Sequence, residues 1–329
     1  GRDQRSYAGS SVPNVVCQQG GVNSVHRLPS GAMTRLVGLA GVLTISWSGV
    51  FVVLADVTPA TAAFFRALYA LPVLFVLWLM VKDRDERTPR ARLIAVAAGL
   101  FLAADLTAWH HTIDLIGAGL ATVIANIQVV LVPLAAWLIL REHPSRLALR
   151  VAPIVFVGVV LVSGLGRSDA FGQDPTQGIA FGLLTAILYT GFIFLLRVAN
   201  RGSLAPVQGP LFDATIGTVV GAFLLGLFDS SFSLTPSWPA HGWLLAIALV
   251  AQVAGWLAIS YALPRLPAID TSVMLLLQPA GAVLWARIVL SEQPSMVQWT
   301  GVVIVLAGVG LFAAIGAVTR SAEGTPRPT

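Results

Sequence analysis

Leu140-Arg141-Glu142-His143-Pro144-Ser145 and, 150 residues further on, Leu290-Ser291-Glu292-Gln293-Pro294-Ser295 are two copies of one phrase. Fourteen residues before each Glu stands a Gln within an apolar stretch, Gln128 and Gln278. Sixteen residues after each stands a Gly, Gly158 and Gly308. Self-similarity at a fixed offset marks a duplicated chain. The copies differ in charge: Arg141, Arg146 and Arg150 surround the first loop, and the second loop has no basic residue. One text in opposite charge surroundings is what two halves inserted upside down relative to each other would produce.

The solvent of this chain is lipid. Apolar residues make up 56% of it and charged residues 11%, against about 25% in a soluble domain. Mean hydropathy is +0.82. The apolar runs are continuous rather than alternating, so they predict membrane-spanning helices and not a β-barrel. The predicted fold is all-α, a polytopic membrane protein of ten transmembrane helices in two inverted five-helix repeats. The expected spans lie near 36–55, 61–81, 93–112, 117–140, 149–166, 178–196, 209–228, 242–262, 268–290 and 296–318. They divide the chain into a disordered tail (1–32), a first repeat (33–172), a second repeat (178–319) and a C-terminal tail (320–329). Met33 stands directly before the first run as a candidate natural start, and the long tail and long run argue against a cleaved signal peptide.

Of the 20 Lys and Arg, 17 fall at the N-terminus, the C-terminus or the 2–3, 4–5, 6–7 and 8–9 loops; Arg167 alone falls opposite, and Arg66 and Arg287 lie inside spans. Cytoplasmic loops carry the excess of Lys and Arg, so both termini are expected in the cytoplasm. The basic residues that raise the pI to about 10.1 are thus orientation signals, and no nucleic-acid partner is expected. Matched loops switch sign as inversion requires. The 82–92 loop has five basic residues and its counterpart 229–241 none; the 113–117 loop has none and its counterpart has Arg265. One cysteine, Cys17, allows neither an internal disulfide nor a cysteine metal site.

Four features together resemble the drug/metabolite transporter superfamily in its EamA-like branch. They are Trp47-Ser48-Gly49 in span 1, Arg66-Ala67-Leu68 in span 2, the small-residue start of span 4 (Gly117-Ala118-Gly119-Leu120-Ala121) and the two Glu-x-Pro-Ser endings. The resemblance covers about 36–318. It implies ten spans in two inverted five-span repeats and transport of small metabolites, often amino acids, coupled to protons or to exchange. Many members carry a Lys late in span 1, and Val52 to Ala55 has none.

Ionisable groups inside a span cost about 2.5–3.5 kcal/mol each on insertion scales and so need a reason. Asp105, mid-span, reads either as a proton site or substrate-ammonium partner, or as a protonated acid bonding two helices. His110, a second proton-coupling candidate, stands four residues from Asp114, so the two share a helix face; the plainer reading is polar residues at a span mouth. A metal site is not expected, since His110, His111 and Asp114 do not converge on one face. Arg66 and Arg287 are expected to snorkel to the interface, and Asp213 occupies the place in span 7 that Arg66 holds in span 2. Gln128, Gln278, Asn126 and Gln252 serve either helix contacts or a substrate. Trp78, Trp137, Trp238, Trp243 and Trp299 lie near span ends as an interfacial belt; Trp47, Trp109, Tyr189 and Trp256 lie deeper.

The predicted substrate-binding set is Trp47, Asp105, Trp109, Gln128, Tyr189, Trp256 and Gln278, in a cavity between spans 1, 3, 4, 6, 8 and 9 with spans 5 and 10 peripheral. The expected function is secondary active transport, most simply export of amino acids or related compounds across the inner or plasma membrane. A cationic-amine or multidrug exporter is the alternative of the same class, and an intramembrane lipid-processing enzyme the alternative of another. No Walker A motif, nucleophile elbow, zincin motif or CxxC is present, and no cofactor is expected. A monomer and a homodimer both fit. The expected partners are a small-molecule substrate, the bilayer and protons.

Overall fold

The structure is a computed structural model, and it describes residues 31–140, 146–162, 170–200, 206–262, 265–266 and 268–323. Almost all of the first tail, the Glu142 loop, Arg167 and the last six residues lie outside that set. Among the described residues there is no strand. The helices are α1 (Gly31–Ser46), α2 (Ser48–Ala55), α3 (Pro59–Leu79), α4 (Pro89–Ile116), α5 (Ala118–Ala125), α6 (Gln128–Leu140), α7 (Arg146–Val162), α8 (Pro175–Ala199), α9 (Gln208–Gly226), α10 (Ala240–Ala246), α11 (Trp256–Ala262), α12 (Ala268–Val289) and α13 (Met296–Glu323). A π-helical stretch, Ile247–Gly255, joins α10 to α11. Among the described residues six helical segments are long and apolar enough to cross a membrane: Ala32–Ala55, Pro59–Leu79, Pro89–Ile116, Pro175–Ala199, Gln208–Gly226 and Ala240–Ala262. The chain is an all-helical, multi-pass membrane protein.

Local chemistry sets the helix ends. The Thr88 hydroxyl accepts from the Ala91 N–H at 3.2 Å and Pro89 opens α4, so that helix starts before its first apolar residue. Asp174 caps α8 in the same way, accepting from Gln177 N–H at 2.9 Å ahead of Pro175. Several expected single helices are broken. A turn at Trp47 divides α1 from α2. Gly117, at φ +85°, turns the chain between α4 and α5, at the expected boundary of spans 3 and 4, a conformation suited to glycine. Asn126 donates its side-chain amide to the Thr122 carbonyl at 2.8 Å, and α5 ends there. In the opposite direction, α13 continues to Glu323, past the expected end of its span.

Packing pairs the two halves reciprocally. Helix α4 lies on α8 and α9; α1 lies on α11 and α12, and α3 on α9 and the π-helical stretch. The tightest crossings use glycine. A Cβ on Gly99 would collide with the Ala214 carbonyl, and one on Gly217 with the Val96 carbonyl. Helices α7 and α13 pack on each other at one side of the bundle. There Gly158 faces Val305 and Gly308 faces Val155, so positions 150 apart exchange partners. Their outer faces expose Ile154, Phe156, Val157 and Val303, an apolar surface suited to lipid chains.

Candidate functional site

A cavity of about 450 Å³ lies mid-molecule, walled by residues of both halves. Ile45 and Ser48 come from α1 and α2, Arg66 from α3, and Leu102, Asp105, Leu106 and Trp109 from α4. Thr122 to Val129 supply part of α5 and α6; Thr185 to Asn200 line it from α8, Gln252, Trp256 and Ile259 from the π-helical stretch and α11, and Leu275 and Gln278 from α12. The volume is that of a small-molecule site, and the wall is mainly apolar with a few polar groups. π-helical turns within α-helices concentrate at functional sites. Here the π-helical stretch supplies Gln252, and Trp256 follows it directly.

Asp105, Trp109, Gln128, Tyr189, Trp256 and Gln278 all line this cavity. Trp47 does not. It stacks on Trp285 with ring centroids 4.7 Å apart, and Trp285 donates its indole N–H to the Ser46 hydroxyl at 2.9 Å. His110 also lies off the cavity. It is 1% exposed, and its Nδ1–H donates to the Pro59 carbonyl at 3.1 Å, while Asp114 is exposed; no hydrogen bond joins the two. The i,i+4 spacing puts them on one face, but the neighbouring helix start at Pro59 captures the imidazole.

The expectation for Arg66 needs correction. Its side chain does not snorkel: the residue is 4% exposed, lines the cavity, and donates from Nη2 to Gln252 Oε1 at 3.0 Å. Helix α9 and the π-helical stretch cover the face that snorkelling requires to be open. Asp213, at the matching place in α9, is 2% exposed and forms ion pairs with Arg87 at 2.8 Å and Arg92 at 3.2 Å. Arg87 also grips Asp85 at 2.7 Å, and its guanidinium holds the Asp85 carboxyl below the usual carboxylate range. This cluster ties the loop before α4 to the start of α9. Arg287 is exposed and donates to the Glu292 carbonyl at 3.2 Å.

The cavity extends toward the end of the molecule where α8 and α11 finish, and Arg197 and Asn200 line its wall there. The opposite end is shut. The Glu292 carboxylate, 6% exposed, accepts from the Ala118 N–H at 2.6 Å and the Gly119 N–H at 3.1 Å, at the start of α5. A helix start presents free N–H groups and partial positive charge, so a carboxylate is the matching partner. Burial pushes the Glu292 carboxyl above the usual carboxylate range, and the two N–H bonds oppose that rise. Gln298, fully buried, adds a second tie: it accepts from Phe171 N–H at 2.8 Å and donates to the Phe171 carbonyl at 3.0 Å. Phe51 stacked on Trp243 closes the same end beside the Trp47–Trp285 pair.

Among known proteins, an "Uncharacterized transporter YxxF" of Bacillus subtilis (strain 168) is 24% identical over 268 residues, covering 80% of this chain and 84% of that protein. A solved chain described only as "Crystal structure of protein" superposes with a TM-score of 0.61 at 14% identity, covering 89% of this chain and 99% of its own, a likeness of fold alone. The model of the EamA-like transporter family matches twice in succession, over residues 33–164 and 176–314. Its members are transporters rather than enzymes. With two family units spanning most of its length, the chain belongs to the EamA-like transporter family.

Proposed function

We propose that the protein is a secondary active transporter of ten spans in two inverted five-helix repeats, exporting amino acids or related small compounds. Both termini then lie in the cytoplasm of a cell that carries the protein in its inner or plasma membrane. The observation that carries this reading is the cavity between the halves, walled by Asp105, Gln128, Trp256 and Gln278, with the Glu292 tie to the start of α5 beyond one end of it. The double family match and the exchanged contacts Gly158–Val305 and Gly308–Val155 support a two-fold relation between repeats. With the basic loops cytoplasmic, the cavity faces inward and the Glu292 end outward. Alternating access rocks the repeats about the central site.

Asp105 is the coupling-proton candidate, because it is the one carboxyl on the cavity wall among the described residues. His110, held by the Pro59 carbonyl away from the cavity, takes no part in that role. The test is uptake and efflux in proteoliposomes of purified protein, with a broad panel of amino acids and amines under an imposed proton gradient. Accumulation against a gradient by the parent, lost in Asp105→Asn with exchange retained, is the expected result. Equal accumulation by a stable Asp105→Asn protein would remove the proton role, and no movement of any panel member would remove the transport reading.

A further inference from the structure

One span of the second half departs from its partner in the first. The positions of Arg66, Asp105 and Trp109 recur 147 residues later as Asp213, Gln252 and Trp256. No residue is therefore inserted or lost between the matched positions, and Ile247–Gly255 corresponds to residues 100–108 of α4. The two stretches nevertheless differ in hydrogen-bond register. Helix α4 runs unbroken from Pro89 to Ile116, and side chains that reach its surface, Leu100, Ala104, Thr107 and His111, step by three or four residues as an α-helix requires. Ile247–Gly255 is π-helical. Beyond it the Trp256 N–H donates to the Ala251 carbonyl, five residues back, and the exposed residues Leu245, Leu249 and Ala254 step by four and then by five. Equal length with unequal register is a difference of conformation, not of residue count.

The π stretch also stands where a change of register has consequences. Its outer flank, α10, is pinned at the shut end: Trp243 stacks on Phe51, and His241 Nδ1 and the Tyr69 hydroxyl are hydrogen-bonded at 2.6 Å. Its own Gln252 accepts from Arg66, and its inner flank, α11, sets Trp256 and Ile259 on the cavity wall. A slip of one residue between π and α register turns one flank against the other by about 100° and moves it by about 1.5 Å, the step of one α-helical residue. Two inverted repeats reach the opposite-facing form when each half takes up the other's conformation. We propose that Ile247–Gly255 is a register switch of the transport cycle, π-helical while the Glu292 end is shut and α-helical, like residues 100–108, once that end opens. Conversion to the α register lines up Val253, which is buried, with Leu249 in place of Ala254. Trp256 and Ile259 then leave their present places on the wall, so the outer end and the shape of the cavity change together. This inference rests on the transporter reading with inverted repeats and goes beyond it.

The test uses purified full-length protein in proteoliposomes, in a Cys17→Ser background. Three cysteine pairs are made: Leu249→Cys with Ala254→Cys, Leu249→Cys with Val253→Cys and, as a control in regular helix, Ala180→Cys with Leu184→Cys, an exposed pair on α8. A short bis(methanethiosulfonate) reagent closes each pair, mass spectrometry counts the bridges, and counterflow is measured with every amino acid and amine of the panel that the parent moves. The 249/254 pair should bridge faster than the 249/253 pair. Its bridge holds the π register and should cut counterflow at least about tenfold, with recovery on reduction. The 180/184 bridge should leave counterflow within about twofold, because α8 keeps its register. A structural role alone predicts loss of fold, not an arrest that a reductant reverses. Faster bridging of 249/253, full counterflow through the 249/254 bridge, or equal arrest by the control overturns the switch and leaves the transporter standing. Movement of no amino acid or amine by the parent sinks the transport reading, and the switch with it.

Discussion

Glu292→Ala should unlock the closed end of the protein. In the structure one buried carboxylate satisfies two backbone N–H groups, those of Ala118 and Gly119. Truncation leaves both donors buried without an acceptor, at about 1–3 kcal/mol each. Part of that is offset, because the variant no longer holds a carboxylate away from water. A net loss of about 1.5 kcal/mol is a conservative value, and it shifts the closed-to-open equilibrium about tenfold. The loss is specific to the closed form, since opening hydrates the freed N–H groups.

The assay is modification of Ser48→Cys, on the cavity wall, in a Cys17→Ser background, with an impermeant thiol reagent applied to intact cells. The parent should react slowly and the Glu292→Ala protein about tenfold faster. Acidity acts in the opposite sense. Burial raises the Glu292 carboxyl in the closed form, so that form binds a proton more readily than an open form with Glu292 in water. Falling external pH therefore favours closure, and rising pH through and above the usual carboxylate range weakens it. After division by the rate of the alanine variant, which rises only with the thiolate fraction, the parent's labelling rate should climb across that window. Equal labelling of parent and variant at neutral pH would refute the clasp.

Three further outcomes follow from the same geometry. Cysteines replacing His143 and Gln293, matched positions in the repeated phrase, should be reached from opposite sides of the membrane, with Gln293→Cys alone labelled on intact cells; labelling of both would end the inverted-repeat reading. Trp256→Ala removes part of the cavity wall and should weaken substrate binding at least about tenfold, whereas Trp299→Ala, on α13 away from the cavity, should leave it within about twofold in fluorescence titrations. Arg87→Ala leaves Asp213 with Arg92 alone and Asp85 with the Trp78 N–H alone, and should cost about 3 kcal/mol of stability; a melting temperature matching that of Arg84→Ala, whose residue is exposed, would show the cluster to be inert.

The helices were readable in the sequence because a bilayer leaves the backbone no alternative. Their breaks were not. The turn at Trp47 and the π-helical stretch at Ile247–Gly255 lie inside continuous apolar runs, where hydropathy carries no information on hydrogen-bond register. Of the cavity, Asp105, Gln128, Gln278 and the deep aromatics announced themselves as polar or amphipathic groups far from any span end. Trp47 met the same criterion and belongs instead to the closed end, because depth along a helix does not give the angle around it. The burial of Arg66 is hidden from the sequence for a related reason. Its long side chain has the reach to snorkel, and only the packing of α9 and the π-helical stretch closes that route. One signal for it was present: Phe65-Arg66-Ala67 and Phe212-Asp213-Ala214 put opposite charges at corresponding places, as two buried sites would and two interfacial ones need not.

That correspondence also shows what duplication leaves free to diverge. Asp213 and Arg66 sit alike in α9 and α3, and both are buried. Asp213 is fully engaged by Arg87 and Arg92, so it fixes the loop before α4 against α9. Arg66 has only the Gln252 amide oxygen and keeps two nitrogens unpaired beside a carboxyl that it does not touch. The two family units thus hold, at corresponding places, a saturated charge that rigidifies and a buried charge with one side-chain partner. Saturation removes a charge from the set that a ligand can use; incomplete saturation leaves it there.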